Sequence, residues 1–231
     1  MLLLFDIDGT LLRGAAEAHR DAIYAALHAV HGVDAARVPS VATAGRTDGE
    51  IARAILLVAG VSATAIDERA DDVRAECCRA YAELSQADLS HTVLPGNREL
   101  LQWCTAQPAV KLALVTGNYE PVARIKLTRA GLGHFFPAGQ GGFGSDCEDR
   151  AALPPIARRR AGSDGISYPR ARTIVIGDTP RDIACAHADG LRCLAVTTGP
   201  VDPAELVAAD HVVDDAGELR ALLQDALHAS R

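Results

Sequence analysis

The amino-acid sequence predicts a doubly wound α/β fold, in which helices cover both faces of a parallel sheet, together with an all-helical insertion. Short apolar runs that end in small or polar residues are typical of buried parallel strands. Helical patterns separate these runs over most of the chain, whereas one long interval near the start contains helical patterns alone. With 231 residues, the chain is long enough for one sizeable domain that carries an insertion.

Five segments have the apolar character of buried strands. They are residues 2–5, 112–115, 173–176, 193–196 and, more weakly, 211–213. Helical patterns lie between and after them, at residues 121–130, 151–161, 180–188 and 216–228. This alternation of strand and helix is typical of doubly wound, Rossmann-like sheets.

The interval from about residue 15 to residue 91 interrupts this alternation. Apolar residues recur there at three- and four-residue spacing, which predicts three amphipathic helices, around residues 23–30, 51–58 and 66–84. We therefore expect an α/β core formed by residues 1–14 and 93–231 and a helical insertion formed by residues 15–92. A turn at Pro95-Gly96 would mark the second boundary.

The composition excludes several classes of function. A formal net charge of −7 argues against nucleic acid as a partner, because phosphate backbones are bound with Lys and Arg. The apolar start is too short and too acidic for a signal peptide, and no apolar run approaches membrane-spanning length. The six cysteines lack the paired spacing of a redox motif or a zinc site. We expect a cytoplasmic protein with reduced thiols that binds neither nucleic acid nor membrane.

Asp6 and Asp8 lie directly after the first predicted strand. Ligands of open α/β sheets bind at the carboxyl ends of the strands. Residues two apart in an extended segment point the same way, so both carboxylates can converge on one site. Acidic groups in such a place are typical of a functional site.

Asp178 follows the third predicted strand in the same manner. The next residues fit the start of a helix, with Thr179 as its cap, so capping alone can account for Asp182. It does not account for Asp178, which would meet Asp6 and Asp8 in one crevice. Three crowded carboxylates repel one another unless a hard cation lies among them, which predicts Mg²⁺.

Thr116, Gly117 and Asn118 follow the second predicted strand. A hydroxyl at a strand end, followed by glycine and a helix N-terminus, suits the binding of phosphate oxygens. The same residue types also form common turns and caps, so this segment is informative only together with the other two.

In order and context, the three segments resemble the haloacid dehalogenase superfamily of phosphohydrolases. Phe-Asp-Ile-Asp-Gly-Thr-Leu comes first, Val-Thr-Gly-Asn lies in mid-chain, and Gly-Asp-Thr-Pro-Arg-Asp comes late. The resemblance covers nearly the whole chain, and the helical insertion corresponds to a cap domain. Within the superfamily the chain is similar to the phosphoglycolate phosphatase group, whose caps are helical.

The resemblance implies a covalent mechanism. Asp6 would be the nucleophile that attacks phosphorus, and covalent catalysis of this kind divides one difficult displacement into two easier steps. Asp8 would protonate the leaving oxygen and then act as base on the hydrolytic water. Asp6, Asp178 and the backbone carbonyl of Asp8 would hold Mg²⁺.

The resemblance also implies four substrate contacts. They are Thr116, Gly117 and Asn118 beside the strands, and Arg46 in the cap. Thr116 would donate to a phosphoryl oxygen, and Arg46 would bind an anionic group of the substrate. Thr47 and Glu50 also have the spacing of a capping box, which is a structural alternative for that cap segment.

One position departs from the family pattern. The family usually places a Lys before the helix that leads to the late motif, whereas the matching stretch here contains Arg150. We favour Arg150 as the substitute, because a guanidinium can hold phosphate and carboxylate together, although it is not equivalent to Lys in reach or geometry. Lys126, in the helix after Thr116, is the competing candidate. Asp182 would orient the neighbouring positive group.

Residues 139–144 match the dinucleotide-binding pattern G-x-G-x-x-G. They do not follow a predicted strand early in a βαβ unit, and the acidic residues Asp146, Glu148 and Asp149 come next, which is unfavourable for a pyrophosphate. We expect a flexible loop there rather than a nucleotide site.

The predicted function is Mg²⁺-dependent hydrolysis of a small, phosphoglycolate-like phosphomonoester. A phosphosugar mutase of the β-phosphoglucomutase kind has similar motifs and remains an alternative. A haloacid dehalogenase is disfavoured because it needs neither Mg²⁺ nor an acid/base at Asp8. A catalytically silent binding protein also remains open, because fold does not imply function. The partner would be a small phosphorylated metabolite, and the chain would be a monomer or a homodimer.

Overall fold

The computed structural model describes residues 1–34 and 37–228. The strands are β1 (Leu2–Phe5), β2 (Lys111–Thr116), β3 (Gly142–Phe143), β4 (Thr173–Gly177), β5 (Arg192–Val196) and β6 (His211–Val213). They form one sheet in the order β3-β2-β1-β4-β5-β6, and every neighbouring pair is parallel. This is the order of a doubly wound fold, and the fold class is confirmed.

The helices of the described residues are α1 (Glu17–His31), α2 (Asp48–Val58), α3 (Ala63–Glu68), α4 (Ala70–Leu84), α5 (Asn97–Thr105), α6 (Glu120–Arg129), α7 (Leu153–Ala161), α8 (Pro180–Ala188) and α9 (Ala216–His228). Short 3-10 turns extend several of them, such as Arg150–Ala152 before α7. No helix within the described residues is both long and apolar enough to cross a membrane.

Apart from the first residues of β2 and β5, strands β1, β2, β4 and β5 are buried on both faces of the sheet, which explains why they read as continuous apolar runs. Leu3 and Phe5 of β1 point to the face covered by α5, α6 and α9. Leu2 and Leu4 point to the opposite face, which α7 and α8 cover. All five predicted strands are present within one or two residues of their expected ends.

Helices α1–α4 bury a separate apolar cluster, to which Tyr119 and Val122 at the start of α6 also belong. They lie inside the interval where only helices were expected. The division into a core and a cap domain at residues 15–92 stays a prediction.

Two details of that interval and its flank differ from expectation. The helix predicted over residues 66–84 is two helices, because Ser62 caps α3 and Arg69 leaves the helical conformation (φ −115°) before α4 begins. Helix α5 was not predicted at all.

The segment at residues 139–144 is not only a loop. Gly142 and Phe143 form β3, which pairs with Val115 and Thr116 at the edge of the sheet. The expectation of a loop was therefore wrong for these two residues. A two-residue strand among glycines has no apolar periodicity, so its existence depends on the neighbouring strand.

Candidate active site

The ends of three adjacent strands bring the predicted acidic residues together. Strand β1 lies between β2 and β4 and is parallel to both. Asp6 continues directly from β1, with its backbone N–H donating to the carbonyl of Ile176 in β4 (2.9 Å). Asp178 follows β4, and Thr116 is the last residue of β2. All three side chains are buried at the carboxyl edge of the sheet.

Asp6, Asp178 and Asp182 form a buried cluster, in which one carboxylate oxygen of each lies within 4.8 Å of the others. Arg150 is buried beside them and pairs with Asp6 (3.2 Å) and with Asp182. The geometry thus brings Arg150, our favoured candidate, to the carboxylate predicted as nucleophile. The ion pair of Lys126 is with Asp8 instead.

Asp182 has two structural roles at once. Its Oδ2 accepts hydrogen bonds from the backbone N–H and the hydroxyl of Thr179 (3.0 and 2.7 Å), completing a capping box at the start of α8. Its other oxygen accepts from Arg150. The capping and the orienting interpretations of Asp182 are therefore compatible, because each uses a different oxygen.

The residues around Asp178 fit a divalent cation. Its Oδ1 accepts from Thr10 (2.9 Å), whereas its buried Oδ2 has no hydrogen-bond partner in the described part of the chain. A Cβ on Gly9 or Gly199 would lie 2.1 or 1.9 Å from that oxygen, so both positions require glycine for space. An unpaired buried carboxylate oxygen beside a second carboxylate is the donor set that Mg²⁺ prefers.

Burial, followed by repulsion from neighbouring carboxylates, perturbs the acidity of the cluster. Burial raises the pKa of Asp178 to about 8, with Asp6 and Asp182 adding to the shift. Burial also raises the pKa of Asp6 to about 6, against the opposing effect of Arg150. A bound cation would favour the charged forms of both groups.

We expect the metal-free protein to lose stability as pH rises, and Mg²⁺ to restore it. The raised pKa values of Asp6 and Asp178 mean that the folded state binds more protons than the unfolded state. Their stabilising contribution is complete below the unfolded value of 3.8 and is lost as pH rises through about 6 and then about 8. Thermal unfolding in EDTA and in Mg²⁺ across this range measures the effect.

The variant Asp178→Asn distinguishes the contribution of this cluster to the pH dependence of stability from that of other titrating groups. It should reduce both the pH dependence and the gain from Mg²⁺, whereas Asp164→Asn, at an exposed loop position, should change neither. A melting temperature that Mg²⁺ raises equally in the wild type and in Asp178→Asn would contradict the assignment.

Asp8 lies apart from the cluster, with its side chain about one-third exposed (35%). Its carboxylate accepts from the ammonium of Lys126 (2.8 and 2.6 Å) and from the amide of Asn118 (3.0 Å). Burial alone would raise the pKa of Asp8, but the charge of Lys126, together with the hydrogen bonds from Lys126 and Asn118, outweighs burial and lowers that pKa. Since its side chain is engaged there, any metal contact of Asp8 would use the backbone carbonyl.

The segment after β2 lies against the loop before α2. Gly117 accepts a hydrogen bond from the backbone N–H of Asp48 (2.8 Å), and a Cβ on Gly117 would lie 2.1 Å from the carbonyl of Arg46. Asn118 donates its own N–H to the hydroxyl of Thr116 (3.4 Å). The side-chain amide of Asn118 donates to Asp8, and a substrate contact by Asn118 stays a prediction.

The Arg46 side chain is engaged with Glu50 (3.4 Å), which also pairs with Arg181 (3.3 Å). Thr47 caps α2 by accepting from the backbone N–H of Glu50 (3.2 Å). The structural interpretation of this segment therefore holds for Thr47, and a substrate contact by Arg46 stays a prediction.

The sequence interpretation missed three residues near the site: Thr10, His19 and Asp48. Thr10 bonds Asp178, and His19 bridges Lys126 and Asp48. Thr10 is part of the opening motif and could have been singled out there. Nothing in the sequence singled out His19 or Asp48, because each lies in the first turn of a helix, where polar residues are common.

Comparisons with known proteins identify the family of this chain. A family model described as haloacid dehalogenase-like hydrolase matches residues 3–187. A phosphoglycolate phosphatase of Pseudomonas putida is 28% identical over 231 residues, covering 96% of this chain and 78% of that protein. Another from Pseudomonas fluorescens is 31% identical over 134 residues, covering 56% of this chain but only 46% of that protein. The chain thus spans less than half of some curated relatives' length.

Solved structures of the same fold cover nearly the whole chain. A hydrolase from Pseudomonas syringae has a TM-score of 0.65 at 24% identity, covering 96% of this chain and 97% of that one. A β-phosphoglucomutase from Clostridium difficile has a TM-score of 0.68 at 19% identity, covering 100% and 99%. These likenesses concern the fold, whereas the family model matches most of the sequence. The chain therefore belongs to the haloacid dehalogenase-like hydrolase family.

Proposed function

We propose that this protein is a Mg²⁺-dependent phosphatase of a small phosphomonoester, with phosphoglycolate as the first candidate substrate. The observation that carries the proposal is the buried cluster of Asp6, Asp178 and Asp182 with Arg150 at the carboxyl ends of β1 and β4. The names of the curated relatives, all phosphoglycolate phosphatases, support the choice of substrate.

In the first half of the reaction, an oxygen of Asp6 attacks phosphorus and the ester P–O bond breaks. Asp8 in its protonated form gives a proton to the leaving oxygen, so the alcohol departs neutral and Asp8 becomes the carboxylate that Lys126 and Asn118 contact. Asp6 now carries the phosphoryl group. Thr116, at the end of β2, and the backbone of Gly117 would bind phosphoryl oxygens.

In the second half, water attacks the phosphorus of the aspartyl-phosphate and gives a proton to Asp8. The bond between Asp6 and phosphorus breaks, and Asp6 leaves as a carboxylate. Arg150 holds Asp6 in place in both halves through its contact of 3.2 Å. Asp6, Asp178 and the backbone carbonyl of Asp8 would hold Mg²⁺, which when bound offsets negative charge on the carboxylates and the phosphoryl oxygens.

The loop before α2 lies directly over the strand ends, and its tight packing there supports the proposal that the substrate is small. A Cβ on Gly45 would lie 2.5 Å from the hydroxyl of Thr179, so this loop packs tightly against the start of α8. The N–H of Asp48 bonds Gly117 on the other side (2.8 Å). We propose that residues 15–92 act as a cap that covers the site and excludes competing water.

Phosphate release from a panel of phosphomonoesters tests the proposal. Phosphoglycolate should be hydrolysed with Mg²⁺, and EDTA should lower the rate at least about 100-fold, since a metal supplies several kcal/mol at such a site. Hexose phosphates followed by phosphorus NMR test the mutase alternative, because transfer between hydroxyls gives an isomer without free phosphate. The absence of both release and transfer would favour a silent binding protein.

A further inference from the structure

We propose that Lys126 is a positioning residue that holds Asp8 for the hydrolysis of the aspartyl-phosphate, and that His19 and Asp48 fix Lys126. The inference rests on the proposed phosphatase function and adds residues from the helical segment to its site. None of the three is expected to touch the substrate.

Lys126 is fully buried, with an exposed fraction of 0%. Its ammonium contacts both carboxylate oxygens of Asp8 (2.8 and 2.6 Å) and Nδ1 of His19 (3.1 Å). An ammonium has three protons to donate and accepts none, so these three contacts use its full capacity. Removed from solvent and fully engaged, Lys126 acts on Asp8 alone among the predicted catalytic groups.

The contacts determine which atom donates in each hydrogen bond that links Lys126, His19 and Asp48. Nδ1 of His19 faces an ammonium, so it accepts, and the ring proton belongs on Nε2. Nε2 lies 3.0 Å from Oδ2 of Asp48, which therefore accepts from His19. The same Asp48 oxygen accepts from the backbone N–H of Tyr119 (2.7 Å). Each donor thus has an acceptor. His19, itself bonded to Asp48, holds the Lys126 ammonium on the side away from Asp8.

The position of Lys126 on α6 explains how the helical segment reaches Asp8. Ala123 and Leu127 of this helix pack on the sheet, whereas Val122, one turn before Lys126, packs into the cluster of α1–α4. His19 is on α1 and Asp48 begins α2. The ammonium therefore lies where the helical segment meets the strand ends.

Lysine is rare in this chain, which makes its presence beside Asp8 informative. Of the 23 Lys and Arg residues in the chain, only Lys111 and Lys126 are lysines. A lysine ammonium is a compact point charge that can face two carboxylate oxygens and an imidazole at once, whereas a guanidinium has a planar fork. Lys111 is exposed and contacts the carbonyl of Ala161 (3.2 Å), so it offers a matched control.

The arrangement favours the second half of the reaction. Both oxygens of Asp8 accept from Lys126, and one also accepts from Asn118 (3.0 Å), so the group is oriented as an acceptor. Accepting the proton of the attacking water is its task in the hydrolysis of the aspartyl-phosphate. An aryl ester forms that intermediate with little need for a proton donor, because its leaving oxygen is stable as an anion.

Lys126→Met tests the inference with para-nitrophenyl phosphate in rapid-mixing experiments. We expect a burst of nitrophenolate approaching one equivalent per enzyme, followed by steady turnover reduced about 100-fold, the usual contribution of a placed acid–base group. KM should not rise. Lys111→Met should behave as the wild type. The variant should fold, because methionine keeps the unbranched shape of the lysine side chain and Asp8, which is 35% exposed, stays in contact with solvent.

Three outcomes would overturn the inference. A raised KM with unchanged kcat would mean that Lys126 binds the substrate's anion. A reduced kcat without a burst would place the loss before the aspartyl-phosphate, and unchanged kinetics would leave Lys126 as a structural ion pair. His19→Phe, which keeps the ring against Tyr81 (centroids 5.6 Å apart), should give the same burst with a smaller loss of turnover, so the test does not depend on one variant.

A measurement without turnover separates this inference from the proposed function. Lysine labelled with heavy nitrogen gives two side-chain NMR signals, since the chain has two lysines, and Lys111→Met assigns them. Asp8→Asn should shift the Lys126 signal and leave that of Lys111 in place. If the wild type hydrolyses no ester, the proposed function fails, and an unshifted Lys126 signal would overturn the positioning role independently.

Discussion

Replacing Asp6 with Asn is expected to abolish phosphate release while leaving the protein folded. The amide keeps the shape of the carboxylate but cannot attack phosphorus, so we expect a loss of at least about 10⁴-fold, as for other covalent nucleophiles. The neutral side chain also removes repulsion with Asp178, one cause of the raised pKa of that group. Melting temperature in EDTA should therefore hold or rise.

Two measurements test the role of Asp6 as nucleophile. Rapid acid quenching and intact-mass analysis should detect one phosphoryl group on the wild type and none on Asp6→Asn. Asp164→Asn, at an exposed loop position, should keep full activity. Substantial turnover by Asp6→Asn, or a phosphoryl group mapped to another residue, would contradict the mechanism.

Replacing Arg150 with Met is expected to reduce both activity and stability. Its guanidinium is buried between Asp6 and Asp182, so its loss leaves two carboxylates near Asp178 without a positive partner. Breaking one side of a buried ion pair costs about 3–5 kcal/mol. For a chain of this size that corresponds to a fall of roughly 10 °C in melting temperature.

Arg158→Met is the matched control, because Arg158 is a second buried arginine, paired with Asp189 (2.7 and 3.1 Å) away from the strand ends. It should also be destabilised, although less, because Asp189 keeps its contact with Arg170 (2.9 Å), and its folded fraction should keep the wild-type kcat. Arg150→Lys should recover part of the stability and activity lost in Arg150→Met, since the charge is retained. Equal kcat in folded Arg150→Met and Arg158→Met would show that Arg150 is purely structural.

The sequence determined the sheet and the residues at its edge. An apolar run followed by an acid or a hydroxyl is a local pattern, and parallel strands bring all such ends to one edge, so Asp6, Asp178 and Thr116 were predictable as neighbours. Amphipathic periodicity likewise predicted the helices between residues 15 and 92. Strand β3 and the break at Arg69 were missed, because each depends on contacts or caps rather than on periodicity.

Only the tertiary structure decided which cation lies beside which carboxylate. The family pattern favoured Arg150 over Lys126 as the substitute for the usual lysine, but nothing in the local sequence of either residue showed which carboxylate it would contact. Lys126 is 118 positions from Asp8, and Arg150 is 32 positions from Asp182. The spacing of apolar residues shows which face of a helix or strand is buried. It does not show which other helix or strand that face will contact, and an ion pair between two elements depends on that contact. The partner of a buried charge is therefore determined when the helices pack, through the free energy of leaving that charge unpaired.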